Sequence, residues 1–333
     1  MERKANLNKV KDIDEDCKVI RFDPSNLGKI TGSRFQAVLG DDTYMTEFAA
    51  ACLIARIYSE YEKTKYTEAG ELIEPVIRKY VGANGYDMLK DALCLSPEDR
   101  FGVEEPVPKK ECGFDHFKDS PIFGGMVDGY IRVNGKRRAV LEIKTASSRE
   151  KWTDAQGEIT KAPENYILQA SLYAELSGLD EIVFAVGFLE DSDYENPEGW
   201  KIGDDNFYVI HMKKKDISEE MDIGRRWFEK YIMNGVTPEW TEKDSEIVDC
   251  FYVKKLNFVS DDLTDLIKRY ADSQDSELER EIEERFISMV PENIKRMEYQ
   301  QNGIYFVISE AEGENGTADG CASKRFKMTV TKQ

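Results

Sequence analysis

The chain has 333 residues, 41% of them hydrophobic and 33% charged, with a formal net charge of −19. Such a balance suits one large domain with an extension, or two domains, and argues against a protein that coats nucleic acid, though not against an enzyme with a local basic channel and bound divalent cations. Six scattered cysteines without a CxxC pair argue against a disulfide framework or an iron–sulfur cluster and point to a reducing cytoplasm; no apolar stretch is long enough to span a bilayer, so no membrane role is expected.

Taken in chain order, residues 1–27 read as an irregular lead. "TEFAAACLIARIYSEYE" (46–62) has Phe48, Ala51, Cys52 and Ala55 at helical spacing. "TEAGELIEPVIRKYV" is a second helix, which Pro75 should kink or break because it removes a backbone donor. A loop-like segment then leads to "DGYIRVNGKRRAVLEIKTAS" (128–147), two alternating runs meeting at Asn134-Gly135, which predicts a β-hairpin. "PENYILQASLYAELSG" is a helix with Pro near its start and Gly past its end, and "EIVFAVGFLE" and "FYVIHMK" are strands. "DISEEMDIGRRWFEKYIMNG" is a helix with an Asp cap and a Gly stop. The order predicts a mixed α/β sheet flanked by helices. From about residue 241, two charged amphipathic helices (starting at "DDLTDLIKRY" and "DSELEREIEERFISMV") and two strands around "AEGENGTADGCAS" predict a small helix-plus-hairpin extension, 241–333.

The chemistry concentrates in the hairpin. Only two histidines are present, so carboxylates and lysine should carry it. Glu142 and Lys144 leave the same face of one strand. With Asp128 they offer two carboxylates and an amine to a hard cation such as Mg²⁺, with the Ile143 carbonyl close by. Lys144 would stand beside a phosphate under attack, and burial and a nearby metal would both push it toward its neutral form. The register is the test. A strict two-residue turn at Asn134-Gly135 pairs Asp128 with Leu141 and sends the two acids to opposite faces, so an odd-length loop or a bulge is required. A Glu-Ile-Lys strand taken alone is most often a solvated face.

With its neighbours, this stretch resembles the PD-(D/E)XK nuclease superfamily: Asp128 followed by Glu142-Ile143-Lys144, with Val127 in place of the namesake proline. Gln169 and Tyr173 resemble the QxxxY motif of its RecB-like and lambda-exonuclease-like branch, and "AGELIEPVIRKY" resembles the GxxxE motif, adding Glu74 near the metals. "LGKITGSRFQAVLG" is similar to the ITxS segment of YqaJ-type viral recombinases. There the hydroxyl, here Ser33, helps bind a terminal 5′-phosphate; the family's basic residue ahead of it appears as Asn26, with Arg34 as a substitute. The resemblance covers about residues 26–240 and sets the core at 28–240. It implies a restriction-endonuclease-like αβββαβ fold. Catalysis would fall to Asp128, Glu142, Lys144, Glu74 and Gln169; metal ligation to Glu74, Asp128, Glu142 and Ile143; and substrate contact to Ser33, Arg34 and Tyr173. The implied cofactor is Mg²⁺ or Mn²⁺, the substrate duplex DNA ends, the oligomer a homotrimeric ring, and the partner a single-strand annealing protein.

The leading reading is a metal-dependent 5′→3′ exonuclease of the phage or prophage recombination type. A RecB-like single-strand exonuclease or structure-specific endonuclease shares the same site, and a non-catalytic DNA-end-binding scaffold is the alternative outside enzymes. Lys136, Arg137, Arg138 and Lys213–Lys215 are candidate phosphate contacts, and Cys112 with His116 offers too few ligands for zinc.

Overall fold

The computed structural model describes residues 2–61, 64–256, 260–287, 294–301, 304–310 and 326–332. The chain divides into two compact units, one of residues 1–2 and 21–238, the other of residues 3–20 and 239–333.

The larger unit is built on a five-stranded sheet. Helices α1 (Gly32–Val38), α2 (Glu47–Ala55) and α3 (Lys65–Leu89) come first. Strands β1 (Phe101–Glu104), β2 (Gly129–Val133) and β3 (Lys136–Ala146) follow, then α4 (Glu164–Ser177), β4 (Glu181–Phe188), β5 (Phe207–Lys213) and α5 (Ser218–Trp227). The spatial order is β5-β4-β3-β2-β1. All neighbours are antiparallel except β3 and β4, which run parallel with Val140 opposite Ile182, as a crossover through a helix demands. From α3 to β4 this is the αβββαβ order, in a mixed sheet flanked by helices.

Each face of the sheet has its own core. Leu141 and Ile143 of β3 pack with Ile73, Ile77 and Val81 of α3. Val140, with Phe184 and Val186 of β4, packs against Ala170, Tyr173 and Ala174 of α4. Strand alternation therefore turns Val140, Glu142 and Lys144 toward α4.

α3 is one continuous helix through Pro75, not the kinked or broken pair the proline predicts. Its buried stripe of Ala69, Ile73, Ile77, Val81 and Leu89 explains this. Each large aliphatic side chain contributes about 1.5–3 kcal/mol, against about 3 kcal/mol for an interior proline. α2 ends earlier than its apolar spacing suggests: Arg56 takes a left-handed φ of 57°, and Tyr58–Tyr61, rich in aromatics, is a strand. β1 falls in the stretch that reads as a loop. α5 passes into a π-helical turn, Phe228–Met233, before Gly235 stops it at φ 67°.

In the second unit, α6 (Ser245–Phe251), β6 (Val253–Leu256), α7 (Asp261–Ser273), α8 (Ser276–Ile287), β7 (Arg296–Gln301), β8 (Ile304–Glu310) and β9 (Phe326–Lys332) form a sheet in the order β6-β7-β8-β9 with two amphipathic helices. Leu263, Leu266, Ile267 and Tyr270 of α7 pack on Met297, Tyr299, Phe306 and Ile308. The expected hairpin is thus part of a four-stranded sheet, and the Gly-rich loop at 311–323 lies outside the described residues. The lead is not irregular: Val10–Asp14 and Val19–Phe22 are paired strands. Glu15 in their turn accepts from the Tyr252 hydroxyl at 2.8 Å and pairs with Lys295 at 2.9 Å, which ties the lead to this unit. Among the described residues, no helix is long and apolar enough to cross a membrane.

Candidate active site

The hairpin brings the two acids to one face. Asn134 and Gly135, both at positive φ (53° and 80°), make a two-residue turn of the mirror-image type that suits twisted strands. The register then slips by one between Ile131↔Ala139 and Arg132↔Arg137, so Arg138 is the extra residue of a bulge. Pairing ends at Gly129↔Leu141. One step beyond, Asp128 lies level with Glu142, and its Oδ2 accepts from the Ile143 amide at 2.8 Å, satisfying a donor that β2 no longer reaches.

Glu142 is the most buried of the charged groups here, 1% exposed. Its Oε1 accepts from Lys144 Nζ at 2.7 Å and from Gln169 Nε2 at 2.5 Å. Its Oε2 is buried without a hydrogen-bond partner. Burial, with the nearby Asp128 and Glu74 charges, pushes the Glu142 carboxyl up to about 8 against the pull of Lys144. Burial opposes the charge on Lys144 too, but Glu142 and Asp128 more than reverse it and hold the ammonium above the ordinary lysine range. The expectation of a neutral Lys144 gave weight to burial and a nearby metal; the pull of Glu142 and Asp128, both named from the sequence, outweighs the burial. The ammonium also sits 4.7 Å from the centre of the Tyr166 ring, a cation–π contact.

Glu74 approaches from α3 and is paired with Arg78, one helical turn on. Arg78 Nε also donates to the Asp128 carbonyl at 2.7 Å, so this arginine joins α3 to the start of β2. Burial and Asp128 raise the Glu74 carboxyl. Among the described residues, no three Asp, Glu, His or Cys side chains stand close enough to enclose a metal ion by themselves. The donor set nonetheless suits a hard cation: two carboxylates on one face, one bearing an unpartnered buried oxygen, in a site built of oxygen donors.

Tyr173 is buried beside Gln169, and burial next to Glu142 raises its phenol, which stays neutral. α1 comes very close to this helix: a Cβ on Gly32 would lie 2.6 Å from Gln169 Cγ and 2.8 Å from the Tyr173 hydroxyl. Ser33 is exposed on α1 and shares a 3.1 Å hydrogen bond with the Thr31 hydroxyl. Thr31, not Ser33, holds the N-cap position. The Arg34 guanidinium is lowered by burial and by the like charge of Arg56. Arg56 reaches across to Asn26 Oδ1 at 2.7 Å, so a basic group does stand beside the position where the family motif carries one.

Four members of the basic runs named from sequence pair with acidic side chains. Arg137 pairs with Glu104, Arg138 with Glu181, Lys214 with Glu175 and Asp180, and Lys215 with Glu164 and Glu220. Both ring nitrogens of His116 face backbone groups: its Nδ1 accepts from the Val127 amide at 3.1 Å and its Nε2 is within 3.0 Å of the Val107 carbonyl. Tyr166 and Arg78 escaped sequence reasoning, yet they fall three residues before Gln169 and four after Glu74, spacings that share a helix face.

The chain is similar to several known proteins. An uncharacterized protein of Mycoplasma genitalium (MG373) is 30% identical over 254 residues, spanning 65% of this chain and 85% of its own, and its Mycoplasma pneumoniae homologue is 28% identical over 257 residues, 66% and 85%. Two solved structures overlap more loosely. They are an alkaline exonuclease from Laribacter hongkongensis (19% identity, TM-score 0.40, 62% of this chain and 89% of that one) and a phage-related exonuclease from Haemophilus somnus (14%, TM-score 0.42, 62% and 96%). The YqaJ-like viral recombinase domain matches residues 22–180, a span that holds Ser33, Glu74, Asp128, Glu142, Lys144 and Gln169. The chain belongs to this lambda-exonuclease-like, YqaJ-type family of the PD-(D/E)XK nuclease superfamily.

Proposed function

We propose that the protein is a divalent-cation-dependent deoxyribonuclease that shortens DNA from duplex ends in the 5′→3′ direction. The observation that carries this reading is Glu142 Oε2, a buried carboxylate oxygen without a partner, beside Asp128 and next to an ammonium kept charged. A group buried at that cost is explained by a ligand that completes it. Asp128 and Glu142, with the Ile143 carbonyl, would hold Mg²⁺ or Mn²⁺, and Glu74 would join if Arg78 released it. Such an ion supplies charge neutralisation at the phosphate and activation of the attacking water.

The chain's own groups do the rest. Lys144 presents a fixed positive charge where negative charge grows on the scissile phosphate, and it needs no reorganisation to do so. Gln169 orients Glu142 by donating to Oε1, and Tyr166 steadies the ammonium. Ser33, Arg34 and Arg56 supply a hydroxyl and two cations for a terminal phosphate; the mutual repulsion of the arginines favours an anion between them.

Digestion of a 5′-phosphorylated, end-labelled linear duplex, beside a closed circle of the same sequence, tests this. Loss of label from 5′ ends first, an intact circle, and no reaction in EDTA are expected. Cutting of the circle, or loss from 3′ ends first, would overturn the assignment.

A further inference from the structure

Between β1 and β2 the chain makes a loop that the catalytic reading does not use. A single turn after Pro108 ends in two successive left-handed residues, Gly113 (φ 60°) and Phe114 (φ 62°). The Phe114 amide returns to the Lys109 carbonyl at 2.8 Å. A left-handed conformation is unfavourable for a bulky side chain, and its result here is a phenyl ring thrown into solvent, 63% exposed. Apolar burial does not explain it. Val107, just ahead of the turn, is 54% exposed, and Lys109 and Lys110 on the same turn are exposed too. The charge of Lys109 is felt at the Glu74 carboxylate, so this turn overlooks the active site. Lys118 lies at the loop's other end, its Nζ 3.5 Å from where a Cβ on Gly113 would stand.

The loop is clamped to the catalytic strand. Asp115 Oδ1 accepts from the amides of Gly125 and Phe117, both at 3.1 Å, while its Oδ2 pairs with Lys29 at 2.7 Å. The His116 amide donates to the Gly125 carbonyl at 2.8 Å, and its ring accepts from Val127, the residue before Asp128. Phe117 stacks on Tyr173 at 5.7 Å. The residues directly after Phe114 therefore fix its position relative to Asp128 and α4.

We infer that residues 107–118 form a base-stacking platform: Phe114 stacks on an unpaired base of the strand entering the site, and Lys109 and Lys110 contact its phosphates. An exposed aromatic flanked by lysines on a rigid mount suits single-stranded nucleic acid, because every base offers a π face. This inference rests on the proposed nuclease function, since that reading supplies the strand.

The test uses a duplex with a short 5′ tail that carries 2-aminopurine as its unpaired base and a non-hydrolysable phosphorothioate at the terminal linkage. The wild-type protein should quench the 2-aminopurine. Phe114→Asn, chosen because Asn tolerates the left-handed backbone, should keep the melting temperature, abolish the quenching and raise Kd for the tailed duplex about 5- to 100-fold. Phe114→Tyr should restore both. Unchanged quenching and affinity in Phe114→Asn, or no restoration by Tyr, would overturn the platform. If the wild type cuts unmodified DNA while quenching ignores Phe114, the platform falls and the nuclease reading stands. If it cuts nothing while quenching depends on Phe114, the nuclease reading falls and the base contact stands.

Discussion

Lys144 Nζ meets Glu142 at 2.7 Å through a single carboxylate oxygen, Oε1, leaving the other buried oxygen of Glu142 without a partner. An ion pair alone would not need that asymmetry. Under the proposed function, the unpartnered oxygen is where a cation would bind.

Lys144 is held charged by its acidic neighbours, so under the proposed function its role would be electrostatic. Lys144→Ala should lower kcat about 10³-fold with little change in DNA affinity, and Lys144→Arg should rescue it poorly because a planar guanidinium does not fit beside Oε1. Single-turnover cleavage with a separate binding assay checks this; a drop in affinity with kcat preserved would contradict it.

Gln169→Leu removes a donor to Glu142 while conserving bulk. It should reduce kcat by about 10- to 100-fold and raise the Mg²⁺ concentration needed for half-maximal rate. Metal titration of the rate separates this from a folding defect, which would not shift the metal dependence.

At Tyr166, the ring matters and the hydroxyl does not. Tyr166→Phe should keep near-normal kcat, whereas Tyr166→Leu should lose about 3- to 10-fold, the value of a cation–π contact of about 1 kcal/mol. Equal losses in both variants would assign the role to the hydroxyl instead.

Glu142 gives a pH dependence of stability. Its folded pKa is raised, to about 8, so its favourable contribution is full below the unfolded carboxylate pKa and is lost as pH rises toward 8. Lys144, shifted upward from the ordinary lysine value, contributes no slope in that window. Without metal, the melting temperature should fall on the order of 5–10 °C between pH 5 and pH 8, and Mg²⁺ should restore it more strongly at pH 8 than at pH 6. Thermal scans across pH with and without Mg²⁺ measure it; a metal effect independent of pH would remove Glu142 from the ligands.

Gly32→Ala would place a methyl 2.6 Å from Gln169 Cγ and 2.8 Å from the Tyr173 ring. It should destabilise the protein by about 1–3 kcal/mol and lower kcat through displaced Gln169. Urea unfolding and activity at saturating DNA read the two effects; a silent variant would show that α1 and α4 can part freely.

Much of this site was legible in the sequence because its members sit on regular elements with fixed periods. Glu142 and Lys144 share a face by strand alternation, Gln169 and Tyr173 by helical spacing, and the parity of the hairpin demanded the irregularity found at Arg138. What stayed hidden depends on tertiary contact. β1 is four residues with a glycine inside, paired on one side only, to β2, and its alternation is too short to read. Pro75 argued locally against a helix that the buried stripe of α3 sustains. The charge state of Lys144 follows from burial beside two carboxylates, which the sequence names without their distances. The attachment of residues 3–20 to the C-terminal unit rests on contacts such as Glu15 with Lys295, far apart along the chain.

The extra residue at Arg138 also sets rules for how this hairpin tolerates changes in length. Lengthening the tip by two residues adds one more pair and leaves both acids on the α4 side of the sheet. A single added residue near Asn134-Gly135, unless a second irregularity absorbs it, rotates Glu142 into the aliphatic layer under α3 and turns Ile143 toward α4. Relatives that keep the chemistry should therefore differ here by even numbers, and an odd insertion should mark a copy that has lost it.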